Sequence, residues 1–228
     1  MARVPRPPRK KQVATTNGRL HIDFLNSVQK LAYAEYQTHD IMFLLGPAGT
    51  AKTFLASAFA IKEVLDKTKR KIVLTRPIVE AGEKLGFLPG NADEKINPYI
   101  IPIYDCMQKL MGGMNKEEFE HFIANYIELA PIAFMRGRTF ENSVCIFDEA
   151  QNATEAQIIL FLTRFGKNSK LIITGDPTQS DLYSDGNTPL MDIVNKISSI
   201  PGIAVINFKN NEIVRHPLIA EILKKVKG

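Results

Sequence analysis

Tryptophan is missing from this chain of 228 residues, and cysteine and histidine are scarce, with two and four copies. Cys106 and Cys145 lie far apart, and His21, His39, His121 and His216 complete no zinc-ligand spacing with them. Neither a disulfide framework nor a zinc module is expected, and two reduced thiols fit a cytoplasmic protein. Long apolar runs are missing too: none approaches the roughly 18 residues of a membrane span. The basic N-terminus is not followed by the apolar stretch of an export signal, so a soluble, unexported chain is expected. Acidic residues are absent from the first twelve positions, where Arg3, Arg6, Arg9, Lys10 and Lys11 account for the whole formal net charge of +5. Pro5, Pro7 and Pro8 block helix and sheet there. Residues 1–19 are therefore expected to form a mobile cationic arm, suited to nucleic-acid phosphates or serving only as a solvated tail. Aromatic content is only 8%, with no interleaving of aromatic and basic residues, so sequence-specific reading of bases is not expected.

What is present is enough apolar residue, 45%, for one substantial core, which places a single domain over residues 20–228. Ile22, Leu25, Val28 and Leu31 recur every three residues and suggest an amphipathic helix over 21–37. Five short apolar runs read as buried strands: IMFLL (41–45), KIVLT (71–75), VCIF (144–147), LIIT (171–174) and IAVIN (203–207). Helical patterns lie between most of them, at 52–66, 116–129, 153–165 and 188–198. Strands alternating with helices imply an α/β fold whose mostly parallel sheet is covered on both faces. The interval 76–143 is longer than a crossover requires and reads as an insertion, where substrate-specific surfaces are built. No internal repeat is evident.

The first strand runs into GPAGTAKT (46–53) and then into a helix, the setting of a phosphate-binding loop G-x-x-x-x-G-K-[ST]. Backbone N–H groups of Gly46, Pro47's successor Ala48, Gly49, Thr50, Ala51, Lys52 and Thr53 can cradle phosphates there. Lys52 neutralises the β- and γ-phosphates, and the Thr53 hydroxyl takes a place on Mg²⁺. Ala51 stands where the pattern has glycine. Alanine suits that position if its φ is negative and is strained if φ is positive; the expectation is that it is tolerated.

SVCIFDEAQN puts Asp148 and Glu149 at the end of a buried strand. Asp148 is placed to hold Mg²⁺, and Glu149 to orient and deprotonate an attacking water. LIITGDPTQSDL ends the next strand in a turn, from which Gln179 can reach a γ-phosphate or the lytic water, unless the segment is a plain Asp-Pro turn.

GPAGTAKT, LTRPIVEAGEKLGFLPG, PIAFMRGRTFENSVCIFDEAQN, LIITGDPTQSDL and NEIVRHPL occur in that order, and together they resemble the PhoH-like family of phosphate-starvation-inducible ATPases. The resemblance spans about residues 20–225. It implies a RecA-like P-loop NTPase core, similar to the first domain of superfamily 1 helicases, with sheet order 5-1-4-3-2. It also implies ATP hydrolysis and association with RNA. Ala51 departs from the family's usual glycine, although MCM helicases also place alanine before the lysine. The chain is compact beside cellular relatives, resembling copies encoded by bacteriophages, for which the host cytoplasm would be the location.

Superfamily 1 helicases close the ATP site with an arginine from a second domain. Here a neighbouring subunit would have to supply it, which points to a homo-oligomer, with a hexameric ring favoured. Arg215 in NEIVRHPL is the first candidate, unless it pairs structurally with Glu212; Arg136 and Arg138 are the alternatives. Arg76 follows the second strand, where such helicases touch single-stranded backbone. Lys84, Arg136 and Arg138 could extend a cationic track for RNA or another single strand, or the last two could meet the nucleotide's own phosphates. Gln29 or Gln37 could read the base. The expected function is ATP hydrolysis coupled to binding or remodelling of RNA, extending to helicase action. The alternatives are a nucleotide-gated RNA-binding module with little turnover and a small-molecule kinase using the same loop.

Overall fold

The computed structural model describes residues 13–16, 19–77, 92–179, 188–209, 212 and 214. The five apolar runs are strands: β3 (Ile41–Leu45), β4 (Lys71–Thr75), β6 (Ser143–Phe147), β7 (Lys170–Gly175) and β8 (Ile203–Asn207). They precede or follow β1 (Val13–Thr16), β2 (Arg19–Ile22) and β5 (Ile127–Leu129) in chain order. The helices are α1 (Ser27–Thr38), α2 (Lys52–Leu65), α3 (Ala92–Leu110), α4 (Lys116–Tyr126), α5 (Glu155–Leu162) and α6 (Pro189–Ile197). The main sheet runs β5-β4-β6-β7-β3-β8, with every pairing parallel. Read from β8, its first five strands have the expected order 5-1-4-3-2 of a RecA-like P-loop NTPase.

Strand alternation divides the core into two layers. Met42, Leu44, Ile72, Leu74, Val144, Ile146 and Ile172 face one side, which α2 and α3 cover. Phe43, Leu45, Val73, Cys145, Phe147, Leu171 and Ile173 face the other, against α5 and α6. Burial on both faces is why these strands read as unbroken apolar runs. Helix α2 is buried almost all round, at Leu55, Ala56, Ser57, Ala58, Phe59, Ala60, Ile61 and Val64, because it lies between the sheet and α3.

Three expectations are corrected. The helix over 21–37 begins later, at Ser27, after Asn26 caps it by accepting the Gln29 N–H at 2.9 Å. Its buried face is Gln29, Ala32 and Tyr36, whereas Leu25 and Leu31 are exposed, because a strict three-residue repeat drifts off a 3.6-residue helix. Leu20 and Ile22 are buried at the strand period of two, in an antiparallel hairpin of β1 and β2 that occupies part of the segment assigned to the arm. Residues 127–129, expected to end a helix, form β5 instead and lengthen the sheet to six strands. The β-branched Ile127 ends α4 in extended geometry and pairs with Ile72.

Leu45 is level with both Gly175 and Asn207, and Thr75 with Phe147. The loops after β3, β4, β6, β7 and β8 therefore leave from one edge of the sheet. That edge is where open α/β sheets bind ligands.

Candidate nucleotide site

Close backbone approach shapes the loop after β3. Gly46 has φ +140°, and a Cβ there would lie 2.4 Å from the Phe208 carbonyl oxygen. Its N–H donates to the Gly175 carbonyl at 3.1 Å, while the Phe208 N–H donates to Leu45 at 2.7 Å, so the loop is anchored to both neighbouring strands. Gly49 also has positive φ, +87°. The Thr50 hydroxyl donates to the Pro47 carbonyl at 2.9 Å, and Lys52 Nζ donates to the carbonyls of Gly46 and Pro47 at 2.6 and 3.0 Å. The ammonium thus sits inside the curve of the loop.

Ala51 has φ +68° and ψ +25°, the left-handed region. This is the strained of the two cases set out for it, because the chain reverses hand between Thr50 and the first residue of α2. The Cβ penalty in that region is about 1–2 kcal/mol. That is a tolerable fraction of a domain's stability, roughly 5–15 kcal/mol, so the alanine strains the loop without abolishing it.

Asp148 is 2% exposed at the end of β6, and its Oδ1 accepts from the hydroxyls of Thr53, at 2.8 Å, and Thr174. Those bonds, and Arg76 Nη1 at 4.0 Å from Oδ2, make a buried carboxylate affordable. Glu149 follows in left-handed geometry, φ +55°, and its Oε1 lies 3.8 Å from Arg76 Nη2. Non-glycine residues in this region gather where a site constrains the backbone. Two residues not singled out in the sequence complete the arrangement. Gln151, 3% exposed, donates Nε2–H to Glu149 Oε2 at 2.5 Å and accepts the Asp176 N–H at 3.0 Å. Asp176 Oδ2 accepts the Ala48 N–H at 2.9 Å, while Oδ1 accepts the N–H and hydroxyl of Thr178. DEAQ and GDPT are therefore one hydrogen-bonded unit with the loop. Polar residues beside a motif were the available signal, but nothing in their spacing fixed the partners.

The sequence profile described as PhoH-like protein matches residues 21–227. The chain belongs to the PhoH-like family. It is 44% identical over 196 residues to a PhoH-like protein of Bacillus subtilis (strain 168), covering 86% of this chain and 61% of that one. It is 38% identical over 187 residues to Protein PhoH of Escherichia coli (strain K12), covering 82% of this chain and 53% of that one. The chain thus spans between half and two thirds of the length of these relatives. The HK97 bacteriophage large terminase aligns with 82% of this chain and 40% of its own, at 12% identity and a TM-score of 0.48.

The other candidate residues of this PhoH-like chain are scattered. Gln179 is exposed on the Asp176 turn, with its N–H on the Asp176 carbonyl at 3.1 Å. Arg76 lies against Asp148 and Glu149, at the sheet edge that carries the loop. Arg138 bonds Glu128, and its guanidinium lies over the Phe140 ring, 4.7 Å from the centroid. Glu128 is level with Val73, three residues before Arg76, or roughly 10 Å back along the strands. The two arginines therefore do not share one site, and Arg136 lies exposed on the turn before Arg138. Gln29 is buried, its Oε1 accepting the Leu25 N–H at 2.8 Å inside α1's own cap. Glu212, the suggested ion-pair partner for Arg215, accepts the Lys209 N–H at 2.7 Å. Lys84 and Arg215 lie outside the described residues. Among the described residues no helix is long and apolar enough to cross a membrane, and no three metal-ligating side chains cluster.

Proposed function

We propose that this chain hydrolyses ATP with Mg²⁺ and couples hydrolysis to binding or remodelling of RNA or another single strand. The observation that carries the first half is the contact between Thr53 and Asp148 at the mouth of the loop, beside the carboxylate of Glu149. A hydroxyl and a carboxylate meeting there form an oxygen donor set that fits a small hard cation, which binds through one or two carboxylates plus substrate phosphates. Bound there, Mg²⁺ would supply charge neutralisation to the β- and γ-phosphates.

The chain's own residues do the rest. Lys52 leaves the Gly46 and Pro47 carbonyls for the phosphates, and the loop's N–H groups hold them. Glu149 orients a water against the γ-phosphorus and takes its proton as the bond to ADP breaks. Gln179, from its exposed turn, donates to the γ-phosphate or the water. Adjacent acids and this turn favour water over a metabolite hydroxyl as acceptor, so hydrolysis is preferred to kinase chemistry.

RNA association rests on the cations of the N-terminal segment, with Arg76, Lys84 and Arg136 as further contacts. Arg138, spent on Glu128, is the weakest member of that set. The finishing arginine is Arg215, supplied within a ring of subunits, with six favoured. A second reading places it in its own chain's site: the Val214 N–H donates to the Gly49 carbonyl at 2.8 Å, so the residue before Arg215 touches the loop of the same chain.

The test is ATP hydrolysis with and without single-stranded RNA, over a salt series. Stimulation by RNA that weakens as salt rises supports the coupled reading. RNA binding without turnover supports the nucleotide-gated module instead, and affinity independent of salt refutes phosphate contact.

A further inference from the structure

We propose that Gln151 is a positioning residue, which fixes the water-activating carboxylate of Glu149 and ties it to the phosphate loop through Asp176. The inference rests on the hydrolysis reading above and extends it to a residue that touches neither substrate nor metal.

Three bonds make the link. Gln151 Nε2–H donates to Glu149 Oε2 at 2.5 Å, the Asp176 N–H donates to Gln151 Oε1 at 3.0 Å, and the Ala48 N–H donates to Asp176 Oδ2 at 2.9 Å. Only one orientation of the Gln151 amide satisfies both Glu149 and the Asp176 N–H. An ionised carboxylate can only accept and a backbone N–H can only donate, so the nitrogen must face Glu149 and the oxygen Asp176. The side chain is 3% exposed, so reversing the amide would leave buried polar atoms facing their own kind. Room for this bridge depends on Gly175: a Cβ there would lie 3.2 Å from Gln151 Oε1 and 2.6 Å from Leu190 Cδ2.

Glu149 needs such a holder. Its side chain is 38% exposed, and Arg76 lies 3.8 Å from its other oxygen. Left to itself, an exposed carboxylate samples rotamers, and misplacement of a reacting group by about 1 Å can slow a reaction about a hundredfold. Gln151 fixes Oε2, leaving Oε1 to meet a water. Because the same amide holds the Asp176 backbone, and Asp176 holds Ala48, the base keeps its position relative to the loop that grips the phosphates.

The test is Gln151→Glu in the full chain, with wild type as control. This change keeps the acceptor for the Asp176 N–H and removes the donor to Glu149. We expect kcat for ATP to fall about tenfold or more, with the Kd of a non-hydrolysable ATP analogue close to wild type and a lower melting temperature, because the new carboxylate faces that of Glu149. Gln151→Met, which removes the bonds to Glu149 and Asp176 without adding charge, should likewise lower kcat far more than it weakens analogue binding. Unchanged kcat in both variants overturns the inference. So does a kcat loss matched by loss of analogue binding, or unfolding of both variants at assay temperature, since each shows a merely structural residue. If wild type itself turns over no ATP under any RNA condition, the hydrolysis reading fails, and this inference with it.

Discussion

The Thr53 hydroxyl donates to Asp148 Oδ1 at 2.8 Å, joining the first turn of α2 to the end of β6. The two residues are distant in sequence, and the loop after β3 and the strand end after β6 reach each other only because β7 alone separates the two strands. Asp148→Asn keeps the shape but removes the charge. Hydrolysis is expected to fall about a hundredfold or more. The Mg²⁺ concentration for half-maximal activity should rise, and chelation should abolish turnover in wild type. Thr53→Ala should act in the same direction more weakly, because it removes one neutral oxygen. A magnesium titration of ATPase rate in the three proteins checks this; an unchanged titration curve in Asp148→Asn removes the assignment.

Ala51 provides a test that does not depend on activity. With φ +68°, replacing it by glycine relieves the Cβ clash of left-handed geometry. The larger entropy of glycine in the unfolded chain offsets part of that gain. Ala51→Gly is therefore expected to raise unfolding stability by about 1 kcal/mol, read as a higher urea midpoint with unchanged slope. A lower midpoint would mean that the loop enters α2 with negative φ.

The strands carrying the site were legible because both sheet faces are buried, which makes each a short unbroken apolar run ending in its motif. Loop, acid pair and turn could then be placed at one edge from the order of the motifs alone. Local patterning misled where a tertiary partner decides the outcome. Leu25 and Leu31 look like a helical stripe but face solvent, while Gln29 is buried because its side chain closes the cap of α1. Residues 127–129 continue a helical composition yet become a strand, since β4 offers a free edge and Lys71 and Arg138 receive Glu128. Gln151 and Asp176 were invisible as partners, because the bond between them crosses from one strand end to the next.

Glu128 gives a pH-dependent prediction. Burial pushes its carboxyl up, but hydrogen bonds and charge from Lys71 and Arg138 outweigh that and hold it below its ordinary value. A carboxyl lowered in the folded state adds stability that is fully present above its unfolded value, about 4.3, and disappears as pH falls through the folded value. Glu128→Gln should therefore be less stable than wild type at neutral pH by about 1 kcal/mol, the group being partly exposed. The gap should close as pH drops below about 4. Arg138→Ala should be destabilised similarly at neutral pH while its ATPase rate stays near wild type. Denaturant midpoints across the pH series check the first point. A large loss of turnover in Arg138→Ala would return that residue to the list of finishing arginines.

Arg215 can be assigned to its own site or a neighbour's by mixing inactive proteins. Lys52→Ala removes the ammonium that the proposed mechanism places on the nucleotide of its own chain, since Lys52 Nζ lies on the Gly46 and Pro47 carbonyls of its own loop. Arg215→Ala removes the candidate finishing arginine, and its loss is expected to slow turnover about a thousandfold if it stabilises the transition state. In a ring where the arginine crosses the interface, a mixed assembly contains sites with an intact loop facing an intact arginine, so mixing restores part of the rate. If instead the Val214 to Gly49 contact brings Arg215 to its own loop, every site lacks one component and mixing restores nothing. Partial recovery assigns the residue to the neighbour. No recovery, with mass measurement confirming mixed oligomers, assigns it to its own chain. An Arg215→Ala protein with full turnover removes the role from both.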